Sequence, residues 1–219
     1  MRNICYYISI NPKHYYKLGI ESLTKYCNKH NIDLKEWNTI DSKYRISSYN
    51  TQNNIWYQKI ATIDDFIKSE YDNYMLVDVD MLFNSDAPNV FDLIEDDFVY
   101  QQYAPNTMID INHEFEVGNG GLFLFNKNVA KSLLPELQSD KIDIKYSADQ
   151  LNFAKARVRA GIPFKKVEDK WNYTFWSLPK ENVVNDLVND KIYFLHYGNS
   201  NISNMDKHLG NQQFKNKVL

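Results

Sequence analysis

Residues Tyr74–Asn84 read Tyr-Met-Leu-Val-Asp-Val-Asp-Met-Leu-Phe-Asn, and the fold turns on how this stretch is read. Four apolar or aromatic residues precede Asp78 and three follow Asp80, so the segment is fit for burial at both ends. A strand sends alternate side chains to one face about 7 Å apart at Cα, which aims Asp78 and Asp80 at one spot. Ionised carboxylates inside a core are costly unless paired or bound to a cation. A strand that emerges into a cleft here and holds a divalent metal removes the conflict. Hard oxygen ligands suit Mg²⁺ or Mn²⁺, which bind one or two carboxylates together with substrate phosphates.

On the N-terminal side, Ile4–Ile10 is an apolar run of strand length. Asn11-Pro12 then offers a helix start, and Tyr16, Gly19, Ile20, Leu23, Tyr26 and Cys27 recur at helical spacing up to about Lys29. Ile32–Trp37 predicts a second strand and polar Asp41–Asn54 a loop. Thr51 is placed to cap a helix that faces Trp56, Ile60, Ile63 and Ile67 inward, directly before the acidic strand.

On the C-terminal side, Ser85-Asp86-Ala-Pro predicts a turn, Pro88–Ile94 a short helix and Phe98–Gln102 a strand. A stretch without period, Asn106–Val117, leads through Asn119, Gly120 and Gly121 into a buried strand at Leu122–Phe125. A helix follows over Asn128–Ser139, with Pro135 expected to kink it. Ser147 caps another at Ala148–Ala160, closed by Gly161. Phe164–Val167 and Lys191–Tyr197 read as strands, with an aromatic loop at Trp171–Trp176 between them. Asn199–Leu219 is polar and reads as a mobile tail.

Strands and helices alternate without repeat or linker, so one α/β domain with a mostly parallel sheet is expected over 1–198, followed by the tail at 199–219. Ligands of such sheets collect beyond the carboxyl ends of the strands, where Asp78, Asp80 and His196 fall.

Composition narrows the function. A chain of 219 residues with 43% hydrophobic content has enough apolar mass for a core. A formal net charge of −3 argues against electrostatic nucleic-acid binding, which needs a basic patch. The two cysteines, Cys5 and Cys27, are too few for a disulfide framework or a cysteine-based zinc site. No signal-peptide pattern and no run of 18 apolar residues is present, so a cytoplasmic protein with no membrane span is expected. P-loop, serine-elbow and dinucleotide signatures are also missing.

Five segments, in order, resemble the GT-A-fold glycosyltransferases, and most closely family 8, the glycogenin and bacterial galactosyltransferase type. Tyr-Met-Leu-Val-Asp78-Val79-Asp80 looks like the family's DxD strand, and Asn119-Gly-Gly-Leu-Phe-Leu-Phe-Asn like its glycine-mouthed strand. Asp149-Gln150-Leu-Asn resembles its Asp-Gln helix start, Trp171-Asn172 its aromatic-Asn element, and Leu-His196-Tyr-Gly198 its closing segment. The resemblance covers roughly Ile4–Gly198. It departs after Gly198, where Asn-Ser-Asn-Ile-Ser stands in place of the family's Lys-Pro-Trp; Lys207 is the candidate substitute.

The resemblance implies a single GT-A domain with a Rossmann-like, mostly parallel sheet flanked by helices. It implies metal-dependent transfer of a sugar, with retention, from a nucleotide-sugar donor, a UDP-sugar first, to a carbohydrate or other hydroxyl acceptor. Asp78, Asp80 and His196 would hold the Mn²⁺ or Mg²⁺. Tyr7, Ile8, Ser9, Lys59, Val79, Asn119, Gly120, Gly121 and Gly198 would line the donor. Asp149 would bind donor-sugar hydroxyls, and Gln150 would lie by the reacting face of the sugar. Trp171, Asn172, Tyr173 and Trp176 would meet the acceptor; aromatic rings suit sugar faces. Two other classes fit an acidic pair after an apolar strand: a haloacid-dehalogenase-like phosphatase and a non-catalytic sugar-nucleotide-binding protein. The phosphatase pattern places its pair near the N-terminus and follows it with Gly-Thr or Gly-Val, whereas Met81-Leu82 follows a central pair here.

Overall fold

The computed structural model describes residues 1–45, 51–95, 97–102, 117–139, 148–174, 182–198 and 201–219, and only the backbone of 51–54, 56, 100–102, 148 and 149. Ser147, Trp176 and residues 106–116 of the aperiodic stretch lie outside the described residues, as do the side chains of Thr51, Trp56 and Asp149.

Strand β1 (Asn3–Ile8) pairs in parallel with β2 (Asp33–Trp37) and with β3 (Asn73–Val77). Beyond β3 the six-stranded sheet continues through β6 (Gly118–Asn126) and β5 (Phe98–Gln102) to β7 (Phe164–Lys166), in the order β2-β1-β3-β6-β5-β7. Only β6 runs against the others, pairing antiparallel with both of its neighbours. The mostly parallel α/β sheet expected from the sequence is therefore present.

The long run around Asp78 and Asp80 is not one strand. The chain leaves the large sheet at Val77, and Met81–Phe83 (β4) enters a second, three-stranded sheet with β9 (Phe194–His196) and β8 (Tyr173–Thr174). Apolar content was continuous because both halves are fully buried, each in a different sheet.

Period-two alternation sorts the strand residues into two layers. Ile4, Tyr6, Tyr74, Leu76, Phe123 and Phe125 pack under α2 (Thr51–Lys68), α3 (Lys127–Ser139) and α4 (Ala148–Arg159). Their alternates Cys5, Tyr7, Met75, Val77, Leu122 and Leu124 pack against α1 (Tyr16–Lys29) and the small sheet's Phe83 and Phe194. Helix α1 starts four residues later than Asn11-Pro12 suggested, because Asn11 adopts a left-handed turn (φ 52°). Helix α3 runs on through Pro135 as one element. Gly161 (φ 64°) closes α4 as expected.

Residues 203–218 are not a mobile tail. They form α6 (Ser203–Leu209) and α7 (Gln212–Val218), and a short α5 (Val183–Val188) precedes β9. Met205, Phe214 and Val218 are fully buried against Leu82, Leu195 and Tyr197, so these helices form the back wall of the small sheet. Lys217 adds ion pairs to Asp86 and Asp190 at 2.7 and 2.9 Å. The stretch reads as polar because each short helix buries only one narrow stripe. Phe214 and Val218, spaced i and i+4, are the trace of that stripe in the sequence.

Candidate metal and donor site

The acidic pair lies at the joint between the two sheets. The Asp78 backbone N–H still donates to Gly121 O in the large sheet at 3.2 Å, whereas Asp80 O accepts from Tyr197 N in the small one at 3.0 Å. The antiparallel direction of β6 brings its first residues, Asn119-Gly-Gly, beside the end of β3, where Val77 pairs with Leu122. The antiparallel β4–β9 pairing sets Met81 opposite His196 and thereby delivers the imidazole to the acids. His196 Nε2 is 3.3 Å from Asp80 Oδ1 and 3.8 Å from Asp78 Oδ2.

One ligand atom from each of the three residues falls within 4.8 Å of the others. Two ligands of one ion at about 2.1 Å each are about 3–4 Å apart, so the 3.3 and 3.8 Å separations of His196 Nε2 from the two carboxylates fit a shared divalent cation. Two carboxylate oxygens and one imidazole nitrogen are a donor set for a divalent cation. The imidazole and the carboxylates also shift one another's protonation. Burial would lower the His196 pKa, but Asp80, with Asp78 behind it, outweighs this and raises it. Burial would raise Asp80, and the His196 charge and hydrogen bond outweigh that and lower it.

Lys59, only 4% exposed on α2, extends to the same spot. Its Nζ donates to Gly120 O at 2.9 Å and lies 3.2 Å from Asp78 Oδ1. A small cavity of about 100 Å³ is lined by Lys59, Asp78, Val79 and Asp80 together with Ile8, Tyr16 and Ile55. Of the three β1-end residues expected at the donor, only Ile8 reaches it. Tyr7 points into the core beneath the sheet, and the buried Ser9 hydroxyl donates to Glu36. Tyr16 was read only as part of a helix face. Burial, then Tyr15, Asp80 and Asp78, push its phenol up to about 12.

Two glycines work here by close approach. A Cβ on Gly19 would sit 2.0 Å from Val79 O, so α1 lies directly against the backbone between the two acids. A glycine inside a helix costs about 1 kcal/mol relative to alanine, and that cost was the signal available in the sequence. A Cβ on Gly121 would sit 2.4 Å from His196 Nδ1. The space Gly121 leaves is occupied by the imidazole, not held open for a ligand.

Asn119 and Asn172 lie behind the imidazole. His196 Nδ1 is 3.2 Å from Asn172 Oδ1, Asn172 Nδ2 donates to Asn119 Oδ1 at 3.1 Å, and that oxygen also accepts from Gly121 N at 2.8 Å. Asn172 is fully buried, so its amide serves His196 and Asn119 where an acceptor contact was expected. Trp171 is corrected likewise: it is 4% exposed and packs on Tyr193 and Phe194 at 4.7 and 5.3 Å between ring centres, which leaves no face for a sugar. Tyr173 is half-buried on β8. Gly198 occupies a left-handed turn (φ 59°) directly after the small sheet, and Lys207 is exposed on α6. Gln150, in the first turn of α4, has a buried Oε1 with no hydrogen-bond partner among the described residues.

No family model matches this sequence, and no curated protein matches it either. Among solved structures, the crystal structure of a glycosyltransferase involved in the glycosylation of the major capsid of PBCV-1 superposes with a TM-score of 0.67. The two chains are 12% identical over 95% of this chain and 98% of that one. At that identity the likeness establishes the fold. No helix among the described residues is long and apolar enough to cross a membrane.

Proposed function

We propose that the protein is a metal-dependent glycosyltransferase that moves a sugar from a nucleoside-diphosphate sugar, first of all a UDP-sugar, to a hydroxyl acceptor with retention of configuration. The observation that carries this reading is the Asp78–Asp80–His196 cluster at the carboxyl end of β3, beside a cavity and a buried lysine. The family-8 resemblance of the five motifs supports it, as does the shared fold.

A cation held by Asp78, Asp80 and His196 would supply Lewis-acid neutralisation of the diphosphate. Lys59 adds a fixed positive charge beside Asp78, in a site too buried for water to screen it well. The bond between the anomeric carbon and the β-phosphate oxygen breaks, and its electron pair leaves with the nucleoside diphosphate. The acceptor oxygen bonds to the same carbon, and its proton passes to the departing phosphate oxygen. In this reading Asp149, at the start of α4, binds donor-sugar hydroxyls and Gln150 lies by the reacting face of the sugar; the buried Gln150 Oε1 is consistent with that.

The test is release of UDP from a panel of UDP-sugars with Mn²⁺, compared between the wild type and Asp80→Asn. Metal-dependent release that Asp80→Asn abolishes, with the fold intact, is expected. Hydrolysis of a generic phosphoester with no action on nucleotide-sugars would replace this reading with the phosphatase one. UDP binding without turnover of any donor would replace it with a binding protein.

A further inference from the structure

The three segments that supply Asn119, Asn172 and His196 are far apart in sequence, yet their polar side chains form one buried chain of hydrogen bonds. Its direction can be read from one end. The Gly121 backbone N–H can only donate, so the Asn119 atom 2.8 Å from it is the amide oxygen. The Asn172 atom 3.1 Å from that same oxygen must then be a donor, Nδ2. This turns Asn172 Oδ1 toward His196 Nδ1 at 3.2 Å, and a carbonyl oxygen requires a proton on the nitrogen it faces. Reversing the Asn172 amide would press two carbonyl oxygens together and leave its NH₂ against the ring. Asn119, Asn172 and His196 are 3%, 0% and 5% exposed, so water cannot repair the mismatch.

We propose that Asn172, oriented by Asn119, is a positioning residue that fixes His196 in its Nδ1-protonated tautomer, so that Nε2 presents its lone pair to the cation shared with Asp78 and Asp80. Both the role of the relay and the tautomer rest on the metal reading of that triad, because without a cation Nε2 faces Asp80 Oδ1 at 3.3 Å, and a carboxylate oxygen also calls for a proton on the nitrogen it faces. Gly121 contributes twice, through the N–H that starts the relay and through the missing Cβ that lets the ring lie against the strand. A metal-bound histidine needs its second nitrogen held in this way, and loss of such a partner typically weakens metal binding about 10–100-fold.

The experiment uses the whole chain with ¹⁵N-labelled histidine. Long-range proton–nitrogen spectra, recorded with diamagnetic Mg²⁺, identify the protonated nitrogen of His196. Mn²⁺ affinity is read in parallel from the free-ion paramagnetic resonance signal. A proton on Nδ1 and none on Nε2 is expected with Mg²⁺ bound. Asn172→Leu removes the acceptor and is expected to mix the tautomers and weaken Mn²⁺ binding about 10–100-fold. Asn172→Asp keeps an oxygen facing Nδ1 and is expected to weaken Mn²⁺ less than Asn172→Leu does, although its second oxygen, set against Asn119 Oδ1, costs stability. A proton on Nε2, or unchanged tautomer and affinity in Asn172→Leu, would overturn the proposal. If the wild type binds no Mn²⁺, the metal reading falls; if it binds Mn²⁺ and Asn172→Leu leaves that affinity unchanged, only the positioning role falls.

Discussion

Replacing Gly121 with alanine alters no ligand, no charge and no hydrogen-bonding group, yet it is expected to disable the cation site. The new methyl would stand 2.4 Å from His196 Nδ1 and 2.6 Å from Cε1, whereas ordinary contact begins at 3.4 Å. The ring must therefore retreat by about 1 Å, the difference between those distances, while metal–ligand lengths tolerate only about 0.2 Å. Forcing a methyl into such packing costs about 1–3 kcal/mol of stability, and misplacing a ligand should weaken Mn²⁺ at least as much as losing an outer-shell partner does, about 10–100-fold or about 1.4–2.7 kcal/mol. The assay pairs urea unfolding with Mn²⁺ titration on Gly121→Ala, His196→Ala and the double variant. With the imidazole removed, the methyl has room, so the double variant should bind Mn²⁺ no more weakly than His196→Ala alone. A folded Gly121→Ala with wild-type affinity would refute the argument, because His196 would then not be a ligand held against that strand.

Lys59→Met removes the ammonium 3.2 Å from Asp78 Oδ1, so Mn²⁺ affinity should rise a few-fold while UDP affinity falls; isothermal titration of each ligand separates the two. Phe214→Ala, at a fully buried site on α7, should cost about 3–5 kcal/mol in urea unfolding, and a loss under 0.5 kcal/mol would return that helix to the status of a loose tail. Asp64 yields a pH dependence. Burial alone would raise its pKa, but hydrogen bonds from Lys43, Lys68 and Tyr44 outweigh this and bring it to about 2, against 3.8 when unfolded. A depressed carboxylate stabilises the fold above its unfolded value, and that stability is lost as the pH drops from about 4 to about 2. Full linkage would give about 2.4 kcal/mol, but the exposed Lys43 and Lys68 partners reduce it to about 1 kcal/mol. Asp64→Asn should flatten the stability–pH curve by that amount in this window.

Much of the site was legible because it rests on residue identity and order. Two acids in an apolar run, a glycine-rich strand entry and a late His-Tyr-Gly are local patterns, and the fold brings Asp78, Asp80 and His196 together. Burial at both ends of Tyr74–Asn84 was also legible, but not the change of sheet within it, since a fully buried strand has no alternation to mark a break. Asn172 was read as a ligand contact because an amide beside a tryptophan looks the same whether it faces a sugar or a histidine. Only the partner geometry tells the two apart. Gly19 and Tyr16 were missed for a related reason. Their role comes from what α1 lies against, and a helix's periodicity identifies its buried face without naming the neighbour.

The change of sheet between Asp78 and Asp80 has a consequence for how binding and folding are linked. One acid is fastened to a sheet begun by the first strand of the chain, and the other to a sheet that closes only when β8, β9 and the helices behind them are in place. A cation held by both is therefore a cross-link between early and late parts of the sequence. It binds the joined state and not the separated one, so its binding free energy adds to the cohesion of the two sheets. Saturating Mn²⁺ should then slow exchange of the Asp80 and Tyr197 amides more than those in β1, a local tightening confined to the seam.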